Sequence, residues 1–568
     1  MTFRTPILVV GAGPIGLALA GDLAWRGIPC TLIERTDGSI TQPKMDLIGP
    51  RTMEFCRRWG IADQVRDCPY NPDQPQDNVW LESFIGYEFG RETFPAPRDA
   101  KPPAQSPVRR ERCPQDMFDP ILRKWVASLP QATLRYHTEL LNFTERADGV
   151  TAKLRNAAGE EETVEADYLV GTDGGASIVR QSLGIEMSGK PALTYTTNVI
   201  FRCQNFWQLH DKKKGYRFIF IGPEGTWSTL VAIDGYDRFR FSVVGDETKR
   251  TLSEADVRAL IVRAMGKQFD FEVLSIVPWV RRELVARSYG ANRVFIAGDA
   301  AHLNSPTGAF GMNTGMQDSV DLGWKLAAMI EGWGGQHLLD SYEVERRPVA
   351  LRNVEEASEN LRRMLSPRLK LSAAVFEDGS AGEAARREFG DAYTEMMKRE
   401  WFTLHIHLGY LYEHSPIICP DGTAAPSDPV MTYTQTARPG SRAPHLWLSP
   451  DRSTLDLFGR ALVLLKLGNE LDVSPFERAA VQRSVPFTVV ELNDPAVKAA
   501  YENNLVLVRP DGFVCWRSDK VPVDAMAVID RVRGAVSTKD SRNASMLDQI
   551  RETALADIRE SPYRLPAK

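Results

Sequence analysis

The chain has 568 residues, room for two to four domains, with 43% hydrophobic residues and a net charge of -5. That small negative charge and a pI of about 6.0 exclude a basic face for nucleic acid or anionic membrane, and no apolar run approaches the ~20 residues of a transmembrane helix. Seven cysteines without C-x-x-C or His/Cys ligand spacing exclude structural zinc and point to reduced thiols in the cytoplasm.

In chain order, the first element is a buried, mostly β-branched strand over residues 7–10. Gly11, Gly13 and Gly16 follow with G-x-G-x-x-G spacing. An amphipathic helix then runs to about Trp25 and ends at Gly27. A second strand, 30–33, delivers Glu34 at its tip. The first glycine permits a tight turn, the second lets backbone approach a pyrophosphate, and the third lets helix and strand pack closely. The helix N-terminus offers free N–H groups to phosphate, and Glu34 stands where an acid accepts from ribose hydroxyls. The glycines, completed by the second strand, exclude a signal peptide. A structural βαβ unit is the plain alternative.

A turn at Gly49-Pro50 precedes a helix from Arg51. Residues 69–78 and 95–107 read as loops around strands. Gln115 opens a helix to about Ser128. Residues 133–143, 150–155 and 162–170 read as a small antiparallel layer. A strand over 168–171 ends at Asp173-Gly174, before a helix beginning at Ser177 and Arg180. From 190 to 285 the pattern is strands with many aromatics: Trp207, Tyr216, Phe218, Phe220, Trp227, Phe239 and Phe241, mostly core. A buried strand over 294–297 leads to Gly298-Asp299, then a Pro/Gly-rich turn and a helix from about Met312. Helices continue to 365, and 366–435 is mixed. Strands at 461–467, 487–492, 504–510 and 513–517, with an Asp511-Gly512 turn, form a compact α/β domain. The tail past 535 is polar.

Three separated motifs, at 11–34, 173–174 and 298–299, together resemble the signature set of class A flavoprotein monooxygenases. The C-terminal RPGSRAPHLWL and LVRPDGFVCWR look like the thioredoxin-like domain of the phenol hydroxylase branch. LGYLYEHSPIICPDG looks like its linker. The implied fold class is α/β: a Rossmann-like, p-hydroxybenzoate hydroxylase-like FAD-binding domain, a β-sheet substrate domain and a thioredoxin-like C-terminal domain. The implied segments are 1–70, 108–188 and 286–365 for FAD, 71–107 and 189–285 for substrate, 366–436 as linker, and 437–568 as the last domain.

By the same resemblance, Gly11, Gly13, Pro14, Gly16, Glu34 and Arg35 hold the ADP half of FAD. Arg51 lies near the phosphates and ribityl chain, and Gln115 at the flavin's side. Asp173 belongs to the motif shared by FAD and nicotinamide cofactor. Gly298 and Asp299 face the ribityl hydroxyls; Pro306, Gly311, Met312 and Asn313 lie beside the isoalloxazine, with a helix N-terminus toward it. Asp46, five residues before Arg51, is the matching active-site aspartate and candidate general base, its pKa open to being raised by burial. Arg240 is the accompanying cation. The plain alternatives are a surface ion pair for Arg51, a surface site for Arg240, a turn cap for Asp46 and a structural role for His302.

The implied activity is NADPH- or NADH-driven hydroxylation of a phenolic ring with O2, through a C4a-hydroperoxyflavin. The partners are a small aromatic substrate and a second copy in a homodimer, with no nucleic acid, membrane or metal. A halogenase, epoxidase, dehydrogenase or flavin-bound scaffold stays open. Lys44 replaces the family's usual Arg, and PTGAFGMN its commoner PTGGQGMN. The C-terminal domain lacks a redox pair.

Overall fold

Residues 2–468 and 471–536 are described by a computed structural model. The opening strand, Thr2–Val10, is longer than its apolar run, because residues 2–5 also pair with residues 163–166 of the strand Glu161–Gly171. Ile7, Leu8 and Val9 are wholly buried. Five parallel strands run in the order Val294–Ile296, Glu161–Gly171, Thr2–Val10, Cys30–Ile33, Ala132–Arg135. This is the doubly wound pattern that places ligands at the strands' carboxyl ends. The layer expected over 133–170 divides: Ala132–Arg135 joins the parallel sheet. Glu139–Arg146 and Gly149–Arg155 form an antiparallel extension on Glu161–Gly171.

The helix Pro14–Arg26 starts with Pro14 at its first turn and ends at Gly27 in the left-handed region. It packs on the long helix Phe310–Ile330, where the Ser319 hydroxyl donates to the Ile15 carbonyl at 2.9 Å.

The second sheet has eight strands. Met187–Arg202, Arg238–Val244, Gly225–Ala232 and Arg217–Gly222 are antiparallel neighbours, and Asn78–Leu81 joins parallel to the last. The aromatics of this region pack into one core cluster, with Tyr216 outside it. A helix absent from the sequence reading, Glu254–Met265, covers the cluster. Its N-terminus carries a Ser253–Asp256 capping box.

Residues 366–436 hold more than a connection. The helix Gly379–Trp401 packs on the strand Glu88–Glu92 of the substrate sheet. The C-terminal sheet runs Phe487–Glu491, Leu462–Lys466, Leu505–Val508, Val514–Ser518, the first pair parallel and the others antiparallel. The polar tail from 537 lies outside the described residues. Among the described residues no helix is long and apolar enough to cross a membrane, and no cluster of three metal-ligating side chains occurs.

Candidate active site

A cavity of about 690 Å³ runs from the glycine loop to the inner face of the substrate sheet. At its first end, Gly11 has φ +102°, and a Cβ there would lie 2.7 Å from the Thr172 carbonyl. A Cβ on Gly16 would stand 1.9 Å from the Gly11 carbonyl. Gly13 differs: a Cβ on it would meet no atom within 4 Å, and Gly13 and Pro14 line the cavity. The loop is closed on its structural sides and open where a phosphate is expected. Glu34 accepts from the Ala12 N–H at 3.0 Å and from the Thr36 N–H and hydroxyl, with Arg35 exposed beside it.

Gly298 turns with φ +62°, and Asp299 lines the cavity with no hydrogen bond or ion pair of its own among the described residues. That free acceptor suits sugar or ribityl hydroxyls. Pro306, Gly311 and Met312 line the next stretch. Asn313 lies behind them. Its amide accepts from the Gly49 N–H at 2.7 Å and the Thr52 hydroxyl at 2.8 Å, and donates to the Leu47 and Ala309 carbonyls. Asn313 therefore ties the flavin-side turn to the segment after Asp46. Ala309, at φ +58°, caps the helix in a region that favours glycine.

Gln115 accepts from the Lys44 N–H at 3.1 Å and donates to Asp119, fixing the chain just before Asp46. Asp173 accepts from the N–H groups of Ile178 and Val179, capping a short helix, while its Oδ1 is buried without a partner. Its neighbours Thr172 and Gly174 line the cavity.

Two placements correct the sequence reading. Arg51 is buried away from the cavity. Its guanidinium donates to Glu54 at 2.8 Å and to the Asp511 carbonyl at 2.7 Å, against the C-terminal domain. The helix Pro50–Arg58 turns this face to the hairpin, so the residue is neither a flavin contact nor a surface ion pair. Asp46 is no turn cap: its Oδ1 accepts from Arg112 at 2.9 Å, and its Oδ2 from the Tyr216 hydroxyl at 2.6 Å and Arg240 at 3.2 Å. Burial pushes the Asp46 carboxyl up, but Arg112 and Arg240 outweigh it and hold the group below the usual aspartate range. The expected upward shift is thus reversed, and Arg240 is drawn into the site.

Arg112 and Tyr216 escaped the sequence reading. Arg112 lies 3.5 Å over the Tyr216 ring and also donates to Gln76. Tyr216 was one aromatic among seven, and only its place outside the core cluster singles it out. His302 is structural, bonded to buried Asp318 at 2.8 Å, which Arg346 also holds.

Fold and site together define an FAD-binding protein whose cofactor cradle opens onto a chamber that holds Asp46, Arg112, Tyr216 and Arg240. The FAD binding domain family model matches residues 4–357, and the aromatic-ring hydroxylase C-terminal model matches 436–536. A putative polyketide hydroxylase of Streptomyces halstedii is 34% identical, covering 94% of this chain and 97% of the relative. The 4-methyl-5-nitrocatechol 5-monooxygenase of a Burkholderia species is 31% identical over 94% and 97%. The solved structure of RebC with bound 7-carboxy-K252c has 38% identity and a TM-score of 0.88, covering 94% of this chain and all of that one. The chain belongs to the class A flavoprotein monooxygenases, as a flavin-dependent aromatic hydroxylase with the ring-hydroxylase C-terminal domain.

Proposed function

We propose that this enzyme hydroxylates a phenolic aromatic substrate, consuming NAD(P)H and O2. The observation that carries the reading is the Asp46–Tyr216–Arg240–Arg112 cluster, which shares one cavity with the Pro306–Met312 turn. The residues present fit FAD: the open side of Gly13 for phosphate, the unengaged Asp299 for hydroxyls, and the N-terminus of Phe310–Ile330 for the ring's polar edge. When bound, FAD supplies the redox chemistry, taking hydride from NADPH or NADH and delivering oxygen from O2 to the ring. RebC, whose solved complex holds 7-carboxy-K252c, supports an aromatic occupant for the chamber.

The protein's part is to hold the ring and manage one proton. Arg112 and Arg240 keep Asp46 ionised at neutral pH, and burial keeps the Tyr216 hydroxyl protonated as a donor. The depressed pKa makes Asp46 a weak base at rest. Its carboxylate orders Tyr216 and Arg240 around the substrate hydroxyl and takes the proton only as the new C–O bond forms.

The test is a screen of phenols for stimulated NAD(P)H oxidation, followed by Asp46→Asn. The variant should retain FAD and still reduce it, but hydroxylate about 100-fold more slowly and release hydrogen peroxide. Product formed per NAD(P)H consumed is the measurement. Wild-type coupling and rate in Asp46→Asn would place the proton acceptor elsewhere.

A further inference from the structure

The cavity is lined by six arginines, Arg110, Arg112, Arg217, Arg240, Arg281 and Arg282, and by Lys44, against three carboxylates, Asp46, Asp299 and Glu400. Asp46 is shared by Arg112 and Arg240, and Glu400 pairs with Arg217 at 2.7 Å. Arg110 donates to the Trp401 carbonyl and makes no ion pair among the described residues. Arg281 is the extreme case. It is 4% exposed, and its hydrogen-bond partners among the described residues are two neutral hydroxyls, Thr196 at 3.2 Å and Ser305 at 3.4 Å.

A buried cation is ordinarily matched by an anion, because removing it from water is costly otherwise. Burial, Arg217 and Arg240 push the Arg281 guanidinium down to about 10 and Glu400 offsets them only in part, so it still carries its charge at neutral pH with no ion pair of its own. The diphosphate of FAD cannot be the missing partner, since its cradle is the Gly13 loop at the other end of the cavity. Ser305 immediately precedes Pro306 of the flavin-side turn. An anion on Arg281 therefore sits where substrate and flavin meet.

We propose that the substrate is an aromatic carboxylic acid, bound as the anion, with Arg281 as its carboxylate anchor. This rests on the reading of the chamber as the aromatic substrate site and adds the substrate's charge class. Arg281 presents a planar fork that suits a carboxylate. Arg110, Arg282 and Lys44 add further cations on the same cavity that make no ion pair among the described residues. Glu400, whose charge is felt at Arg281, sets a limit: its Oε2 is buried without a hydrogen-bond partner, so it disfavours a second acidic group next to it and favours a hydroxyl or ring N–H.

The test uses the FAD-loaded full-length protein and a matched pair of probes, 3-hydroxy-2-naphthoate and 3-hydroxy-2-naphthamide, titrated against flavin absorbance. The wild type should bind the acid at least about tenfold more tightly than the amide, ~1.4 kcal/mol. Arg281→Met should erase the preference by weakening the acid and sparing the amide, and Arg281→Lys should restore part of it. A thermal shift on the wild type gives a second readout, with the melting temperature raised by the acid and not by the amide. Equal binding of the two, no binding of either, or an intact preference in Arg281→Met would overturn the proposal. Binding is read without turnover. Selective acid binding with no NAD(P)H oxidation would uphold the anchor and sink the hydroxylase reading instead.

Discussion

Gly13 and Gly16 sit three residues apart in one loop and answer different demands. Around Gly16 the space is filled by the Gly11 carbonyl, while beside Gly13 it is empty to 4 Å. Gly16→Ala should therefore damage the fold itself, by roughly 1–3 kcal/mol or more from overpacking against backbone. Gly13→Ala should leave the melting temperature of the flavin-free protein unchanged and weaken FAD at least about tenfold, ~1.4 kcal/mol, because its methyl enters the phosphate's place. Flavin titration and thermal denaturation of both apo variants separate the two effects. Normal FAD affinity in Gly13→Ala would remove the phosphate from that loop. At Asp46 the local physics was half legible. Position and residue type pointed to the site, but the sign of the pKa shift depends on Arg112 and Arg240, 66 and 194 residues away.

Two helices show where element-scale reading succeeds and fails. Pro14–Arg26 announces itself by local chemistry: glycines before it, Pro14 at its first turn and a left-handed Gly27 at its end. Gly379–Trp401 has no such frame of reference, being half exposed and strongly charged, yet it carries Glu400 and Trp401 into the cavity. Its seat is Gly390, where an added Cβ would fall 1.7 Å from the Phe89 carbonyl of the substrate sheet. Gly390→Ala should push the helix off that strand, costing about 1–3 kcal/mol. It should also break the Arg217–Glu400 pair, raising the KM for the aromatic substrate while FAD affinity holds. An unchanged KM would mean that this end of the helix is placed by other contacts.

At the scale of the whole molecule, buried charge joins the C-terminal domain to the rest. Glu54 accepts from Arg51 and from Arg442 of the last domain, and Arg509 pairs with Glu345, Asp321 and Asp511. All of these side chains are nearly inaccessible. Burial pushes the Glu54 carboxyl up, but Arg442 and Arg51 outweigh it and set it below the ordinary glutamate value. Arg346 and His302 do the same for buried Asp318. A carboxylate with a depressed folded pKa stabilises fully above its unfolded value, about 4. That contribution is lost as pH falls through the lower folded one. These two carboxylates should therefore make urea midpoints fall below about pH 4.5. Glu54→Gln should lose about 3–5 kcal/mol already at pH 7, since it strands two buried arginines. A midpoint independent of acid, or a neutral Glu54→Gln, would show that the domain docks by apolar contact instead.

The glycine fingerprint, the strand ends at Asp173 and Asp299, and the four C-terminal strands were readable from the chain because each depends on neighbours a few residues apart. A turn that needs a missing Cβ, or a strand that needs alternating burial, writes its requirement into consecutive positions. The chain by itself thus determined a dinucleotide-binding α/β unit and a compact C-terminal α/β domain, and the resemblance of its three motifs to the class A monooxygenases added FAD. The helix Glu254–Met265 was locally marked by its Ser253–Asp256 box and still missed among strands. Arg51 reads in sequence as a flavin neighbour, and Arg442 and Arg509 carry no local mark; only packing shows that all three are buried between domains. The chamber's character was likewise decided by tertiary structure. Asp46, Arg112, Tyr216, Arg240, Arg281 and Glu400 come from six separate stretches, and their charges acquire meaning only when burial removes the water that would have screened them.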